Sequence, residues 1–317
     1  MRNFILPVLL AGMSVWACDK VWNQETCMSD GCRYPLKVEV CGEGTKLTDI
    51  SQEEKINTMR VYVFRSDGTL DAQGLKADGN SLTLSCTTLA KKVYVLVNAE
   101  PSGRILTETD FTGMATDLAD NSAGNFVMTG SSEVSLPTDT GITVNVQRIA
   151  CRVVIKELVR DFVSEAYRDA PFRITDIYIK DAPGNTDYAA GAAPSKFYNA
   201  GKFSIDTGVD ILGDASGLTL ESPDRTCRYY YCYPRTADAP KRTRLVLKTV
   251  IGSDEKVYYY PIDLPEKMDR NVSYEFPRIT ITRPGSDDPE SPIATDAIDF
   301  TLNIVPWTDT ALPDETI

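Results

Sequence analysis

Twelve segments of this chain alternate apolar with polar residues at a period of two: 36–41, 59–64, 82–85, 93–97, 142–147, 152–158, 174–179, 228–233, 244–251, 256–264, 274–282 and 298–305. That period puts successive side chains on opposite faces of an extended backbone, so each segment reads as a strand with one face buried and one wet. Their Val, Ile, Thr, Tyr and Phe content suits a pleated surface. Between them cluster Gly, Pro, Asn and Asp. Ser66-Asp67-Gly68 is a tight-turn signal, and Ile251-Gly252-Ser253-Asp254 links two strands into a predicted hairpin. Helical patterning is confined to 107–119 and 158–166. The expected fold is all-β with a few short helices, and a dozen strands in 317 residues suit two tandem β-sandwiches. The expected domains are 18–150 and 151–317. They meet without a linker, because an apolar strand runs on through 147–155.

The chain has no histidine, which removes the commonest general base, the Ser-His-Asp and Cys-His constellations and the commonest zinc ligand. With 45 acidic against 33 basic side chains the formal net charge is −12, which opposes binding to phosphate backbones. Neither a catalytic residue, a cofactor, a metal nor a nucleic-acid partner is expected. The pairs Cys27-x4-Cys32 and Cys227-x4-Cys232 would need four thiolates at tighter spacing to hold zinc. Cys86 and Cys151 lie in apolar runs and read as small buried hydrophobes, whereas Cys27 and Cys32 sit in a turn-rich segment suited to a disulfide. The acidic loop Ser286-Asp287-Asp288-Pro289-Glu290 lacks the ligand alternation of a calcium loop and reads as a solvated turn. Tyr229-Tyr230-Tyr231-Cys232-Tyr233 and Tyr258-Tyr259-Tyr260 alternate between sheet faces, which favours packing over sugar stacking.

Residues 1–17 have the form of an export signal: Arg2 is followed by an uncharged apolar run, 4–16, too short to span a bilayer. Val15-Trp16-Ala17-Cys18 then resembles the lipobox of bacterial lipoproteins, with Cys18 the acylated residue and Trp16 bulkier than usual there.

Beyond the lipobox come Leu36-Lys37-Val38-Glu39-Val40, Ile56-Asn57-Thr58-Met59-Arg60-Val61-Tyr62-Val63-Phe64 before Asp67-Gly68, and Val93-Tyr94-Val95-Leu96-Val97-Asn98-Ala99. Phe126-Val127-Met128-Thr129-Gly130 and Val146-Gln147-Arg148-Ile149-Ala150-Cys151-Arg152-Val153 follow. Near the C-terminus stand Asp269-Arg270-Asn271-Val272-Ser273-Tyr274, a Pro-Gly-x-x-x-Pro-x-x-Pro-Ile loop from Pro284 to Ile293, and Leu302-Asn303-Ile304-Val305-Pro306-Trp307. In order and content these segments resemble the fimbrillin family, the subunits of type V pili of Bacteroidetes-type bacteria, over essentially the whole chain.

The resemblance implies two sandwiches of transthyretin-like, Greek-key type and export as a surface-exposed outer-membrane lipoprotein anchored through Cys18. It also implies assembly with other pilus subunits by strand complementation, and a receptor on a host or bacterial surface. In resembling stalk subunits a protease cuts after a basic residue just beyond the first strand, which then leaves and is replaced by a neighbour's C-terminal segment. Mapped onto this chain, the removable strand is 36–41, with Leu36, Val38 and Val40 on one face, and the donor is the tail 307–317, opened by Trp307. The cut would fall at Lys46, where a lysine stands in place of the family's arginine. An arginine-specific protease would leave it whole, which favours a membrane-anchoring subunit over a processed stalk subunit. The alternative reading is a surface lipoprotein that binds glycans through exposed tyrosines.

Overall fold

The computed structural model describes residues 32–42, 53–203, 205–206, 209–214, 217–294 and 296–307. The export signal, Cys18, Cys27, Lys46 and the tail beyond Trp307 lie outside the described residues.

The first half forms β1 (Arg33–Gly42), β2 (Thr58–Arg65), β3 (Leu70–Ala77), β4 (Ser81–Thr87), β5 (Leu89–Val97), the helix α1 (Glu108–Thr112), β6 (Ala115–Asp117), β7 (Met128–Leu136) and β8 (Gly141–Arg148). Seven strands pair in the order β3-β2-β5-β7-β8-β1-β4. Strands β7 and β8 pair only at Met128–Arg148 and Thr129–Gln147. The ladder therefore folds at that corner into two layers, and the valines of β2 and β5 share a core with Leu36, Val38, Val40, Val144 and Val146. Gly68, at φ +81°, makes the β2–β3 turn, the left-handed conformation glycine adopts without penalty. Helix α1 opens with a capping box in which Thr107 accepts from the Asp110 amide and Asp110 from the Thr107 amide, and it stops at Gly113.

Asp71 ties β3 to the β4–β5 connection. Its buried carboxylate accepts from the Thr87 amide at 2.8 Å and hydroxyl at 2.9 Å, and pairs with Arg65 at 2.8 Å. Burial pushes its pKa up, but the Thr87 bonds, with Lys91 and Arg65 beside it, outweigh that and hold it below the ordinary 3.8. A carboxylate lowered on folding adds stability that is present above its unfolded value and is lost as pH falls through the folded value. Asp71→Asn is therefore expected to cost about 3 kcal/mol at pH 7, with the gap to the wild type closing below pH 3.8. Urea unfolding across that range measures it, and a gap constant with pH would sink the assignment.

The second half contains β9 (Cys151–Ile155), β10 (Leu158–Arg160), the helix α2 (Glu165–Arg168), β11 (Phe172–Lys180), β12 (Ala182–Pro183), β13 (Asn185–Asp187), β14 (Phe197–Tyr198), β15 (Gly213–Asp214) and β16 (Leu218–Thr219). It continues with β17 (Arg228–Cys232), β18 (Arg244–Ile251), β19 (Lys256–Asp263), β20 (Val272–Phe276), β21 (Ile279–Ile281), β22 (Ile298–Phe300) and β23 (Asn303–Pro306). One sheet runs β17-β9-β20-β23, a second is built on β11-β18-β19, and a third runs β10-β21-β22. Strand β13 pairs with β6 of the first half. One large core joins the halves: Phe111 packs 5.4 Å from Tyr62 and 5.5 Å from Tyr188. The passage from β8 to β9 is only Ile149-Ala150, both fully buried.

Several expectations change. The helical segment 107–119 contracts to α1, because the capping box starts the helix and Gly113 ends it. Segment 158–166 is mostly β10, with α2 beginning only at Glu165. Runs 274–282 and 298–305 each break into two strands. The glycan alternative loses most of its basis, because Tyr230, Tyr231, Tyr233, Tyr258, Tyr259 and Tyr260 are all at most 9% exposed and Tyr229 is half-buried. Cys86 and Cys151 are fully buried and unpaired, and Cys32 is disulfide-bonded. In the acidic loop Asp288 pairs with Lys202 at 2.7 Å and Glu290 with Lys180 at 3.1 Å.

Candidate assembly site

Strand β1 lies between two neighbours: antiparallel to β4, with Leu36 opposite Leu84 and Val38 opposite Leu82, and parallel to β8, with Val38 beside Ile142 and Val40 beside Val144. Alternation turns Leu36, Val38 and Val40 into the core, where they are at most 1% exposed. At roughly 1.5–3 kcal/mol each, their burial contributes about 6 kcal/mol. The other face carries an exposed Lys37–Glu39 pair, worth under about 1 kcal/mol. Without β1, strands β4 and β8 would stand two strand widths apart, roughly 9.6 Å, each with a row of unpaired N–H and C=O groups. An extended segment with apolar residues at alternate positions would fit that slot.

The next described residue after β1 is Glu53, and it is buried. Its Oε2 accepts from Trp307 Nε1 at 2.9 Å and pairs with Arg152 Nη1 at 3.0 Å, while Oε1 accepts from the Tyr231 hydroxyl. Burial, with the Glu53 charge adding to it, pushes the Tyr231 pKa up and keeps that hydroxyl a donor. Trp307, fully buried, lies under the guanidinium groups of Arg148 and Arg152, 4.5 and 5.0 Å from the ring centroid, meets Phe126 edge to face and stacks on Tyr231. Arg148 also donates to the Glu53 carbonyl at 3.1 Å. A single carboxylate is thus held by one buried guanidinium and two neutral donors, which is what makes its burial tolerable.

The Asp269-Arg270-Asn271 motif clamps this knot. Arg270 donates to three carbonyls around the β7–β8 corner: Gln147 at 2.5 Å, Arg148 at 3.2 Å and Thr129 at 3.3 Å. Asn271, at φ +54°, bonds through its amide to the Ala150 carbonyl and through its carbonyl to the Trp307 amide, both at 2.9 Å.

Leu36, Val38 and Val40 come together as one buried face, and Lys46 and Cys18 lie outside the described residues. Trp307, expected to open a donor segment, has its ring fixed in the molecule's own interior. Glu53, Arg148, Arg152, Tyr231 and Arg270 were not singled out from the sequence. The available signal was Arg148 and Arg152 bracketing the apolar Ile149-Ala150-Cys151, where an unpaired charge would be costly.

The family model of the major fimbrial subunit protein, FimA, matches residues 38–148. That match covers about a third of the chain, from the middle of β1 to the end of β8, the layers that enclose the β1 slot. No curated protein sequence matches the chain. Among solved structures, the chain is similar to a candidate cell adhesion protein from Bacteroides eggerthii, with 21% identity and a TM-score of 0.70 over 88% of this chain and 98% of that one. It is similar to a fimbrilin (FimA) from Porphyromonas gingivalis, with 14% identity and a TM-score of 0.65 over 88% and 99%. The tip fimbrial protein Mfa3 from the same species aligns at 13% identity and a TM-score of 0.54 over 87% and 100%. The shared fold thus spans both halves.

Proposed function

We propose that this chain is a fimbrillin: a non-enzymatic, lipid-anchored outer-membrane subunit of a surface fimbria that joins its neighbours by strand complementation. The observation carrying this reading is the placement of β1: the first strand described, inserted between β4 and β8, with its whole apolar face in the core. The slot is the acceptor, and the tail after Trp307 is the donor for the next copy. Residues 18–150 and 151–317 are the two sandwich domains. The reading favours the anchoring role. With lysine at 46 in place of arginine, an arginine-specific protease leaves β1 seated and Cys18 lipidated, so the slot stays filled and the chain ends a fibre at the membrane.

Mass spectrometry of the N-terminus of protein recovered from cell membranes tests this. Acylated Cys18 is expected, together with release into the soluble fraction in the Cys18→Ala variant. A chain starting at Leu47 assigns it to the stalk, and one starting at Asp19 or later without lipid overturns both roles.

A further inference from the structure

Strands β9 and β17 pair antiparallel with Cys151 directly opposite Cys232. Both residues are 0% exposed, both thiols are free, and their sulfurs stand 3.4 Å apart. Cys151 Sγ also lies 3.2 Å from the Cys232 carbonyl oxygen, so the thiols are confined to one small space between the strands. Sulfurs placed this way reach the roughly 2.04 Å of a disulfide by small side-chain rotations.

We propose that Cys151 and Cys232 form a cross-strand disulfide, made by exchange with a disulfide oxidant while the second half folds. One thiolate of the pair attacks a sulfur of the oxidant, whose S–S bond breaks and releases one thiolate, leaving a mixed disulfide. The second cysteine thiolate then attacks the protein sulfur of that mixed disulfide. The Cys151–Cys232 bond forms, and the oxidant's other half leaves as a thiolate. Two electrons pass to the oxidant and the two cysteine protons pass to solvent. The step belongs to folding because the closed ladder shields both sulfurs, and because the neighbouring Cys151 and burial hold Cys232 in its thiol form.

The cysteines are 81 positions apart and enclose most of β9, β10 to β16 and most of β17. A pull between β8 and Trp307 would enter the second half at Cys151 and cross directly to Cys232, so the enclosed chain would carry no load. The bond itself does not depend on what the chain assembles into; its mechanical value rests on the fimbrial reading.

The test is refolding of the full chain from urea with oxidised and reduced glutathione, followed by alkylation and proteolysis without reduction. A linked peptide pair containing Cys151 and Cys232 is expected, and single-molecule stretching of this form should fall short of the reduced form by roughly 280 Å. Recovery of both cysteines as alkylated thiols, or of Cys232 linked to Cys227, would overturn the proposal.

Discussion

Deletion of residues 36–41 is expected to turn the chain from a monomer into a self-associating species. The deletion removes a central strand, so β4 and β8 both lose their ladder partner. The apolar faces of Val61, Val63, Val93 and Val95, now fully buried, lose the layer that covers them. The about 6 kcal/mol of side-chain burial is a large part of a total stability of roughly 5–15 kcal/mol, and unpaired strand edges template association. A peptide of sequence Leu36-Lys37-Val38-Glu39-Val40-Cys41 added in trans should seat in the slot and restore the monomer. Light scattering with and without the peptide reads both effects. A truncated chain that stays monomeric with native stability would remove the basis for complementation.

Trp307→Ala is expected to destabilise the protein by about 4 kcal/mol, the usual range for emptying a buried tryptophan site. The substitution also takes one of three donors from Glu53 and uncovers two guanidinium groups stacked on the ring. In a chain of this size the thermal midpoint should drop by roughly 8 °C. Trp307→Phe keeps most of the ring but not the N–H, and should cost about 1–2 kcal/mol. Combining it with Glu53→Gln should give less than the sum of the single effects, because both remove the same hydrogen bond. Calorimetry on the four proteins decides this. A loss under about 1 kcal/mol for the alanine variant would mean that the knot does not hold the tail's root.

The strands easiest to see in the sequence are unbroken runs of β-formers, even where both faces are covered, as at Tyr62 and Phe64 of β2. In β2, Met59, Val61 and Val63 point inward at strict spacing, and β18 matches the predicted 244–251 at both ends. Strand β3 was hidden because Gln73, Gly74 and Lys76 break its alternation, and β7 because its first half reads Thr129-Gly130-Ser131-Ser132-Glu133. In both, hydrogen bonding to a well-patterned neighbour, β2 or β5, supplies what side-chain pattern does not. The apolar face of the candidate site was legible, since Leu36, Val38 and Val40 alternate plainly. The knot was not. It joins Glu53, Arg148, Arg152, Tyr231 and Trp307 across 254 positions of chain, and only the closed fold reveals that one arginine of an apolar stretch meets the Glu53 carboxylate while the other meets its backbone carbonyl. The tyrosine runs show the opposite limit: period two separates the faces of a sheet but does not reveal that both faces are covered, as they are around Tyr258, Tyr259 and Tyr260.

The two-residue passage from β8 to β9, with Arg270 bonded across the corner and β6 paired to β13, leaves the molecule without a hinge at its waist. Fibre flexibility would then reside between subunits. A fibre containing such a unit would bend where one subunit meets the next, with the unit itself acting as a stiff link.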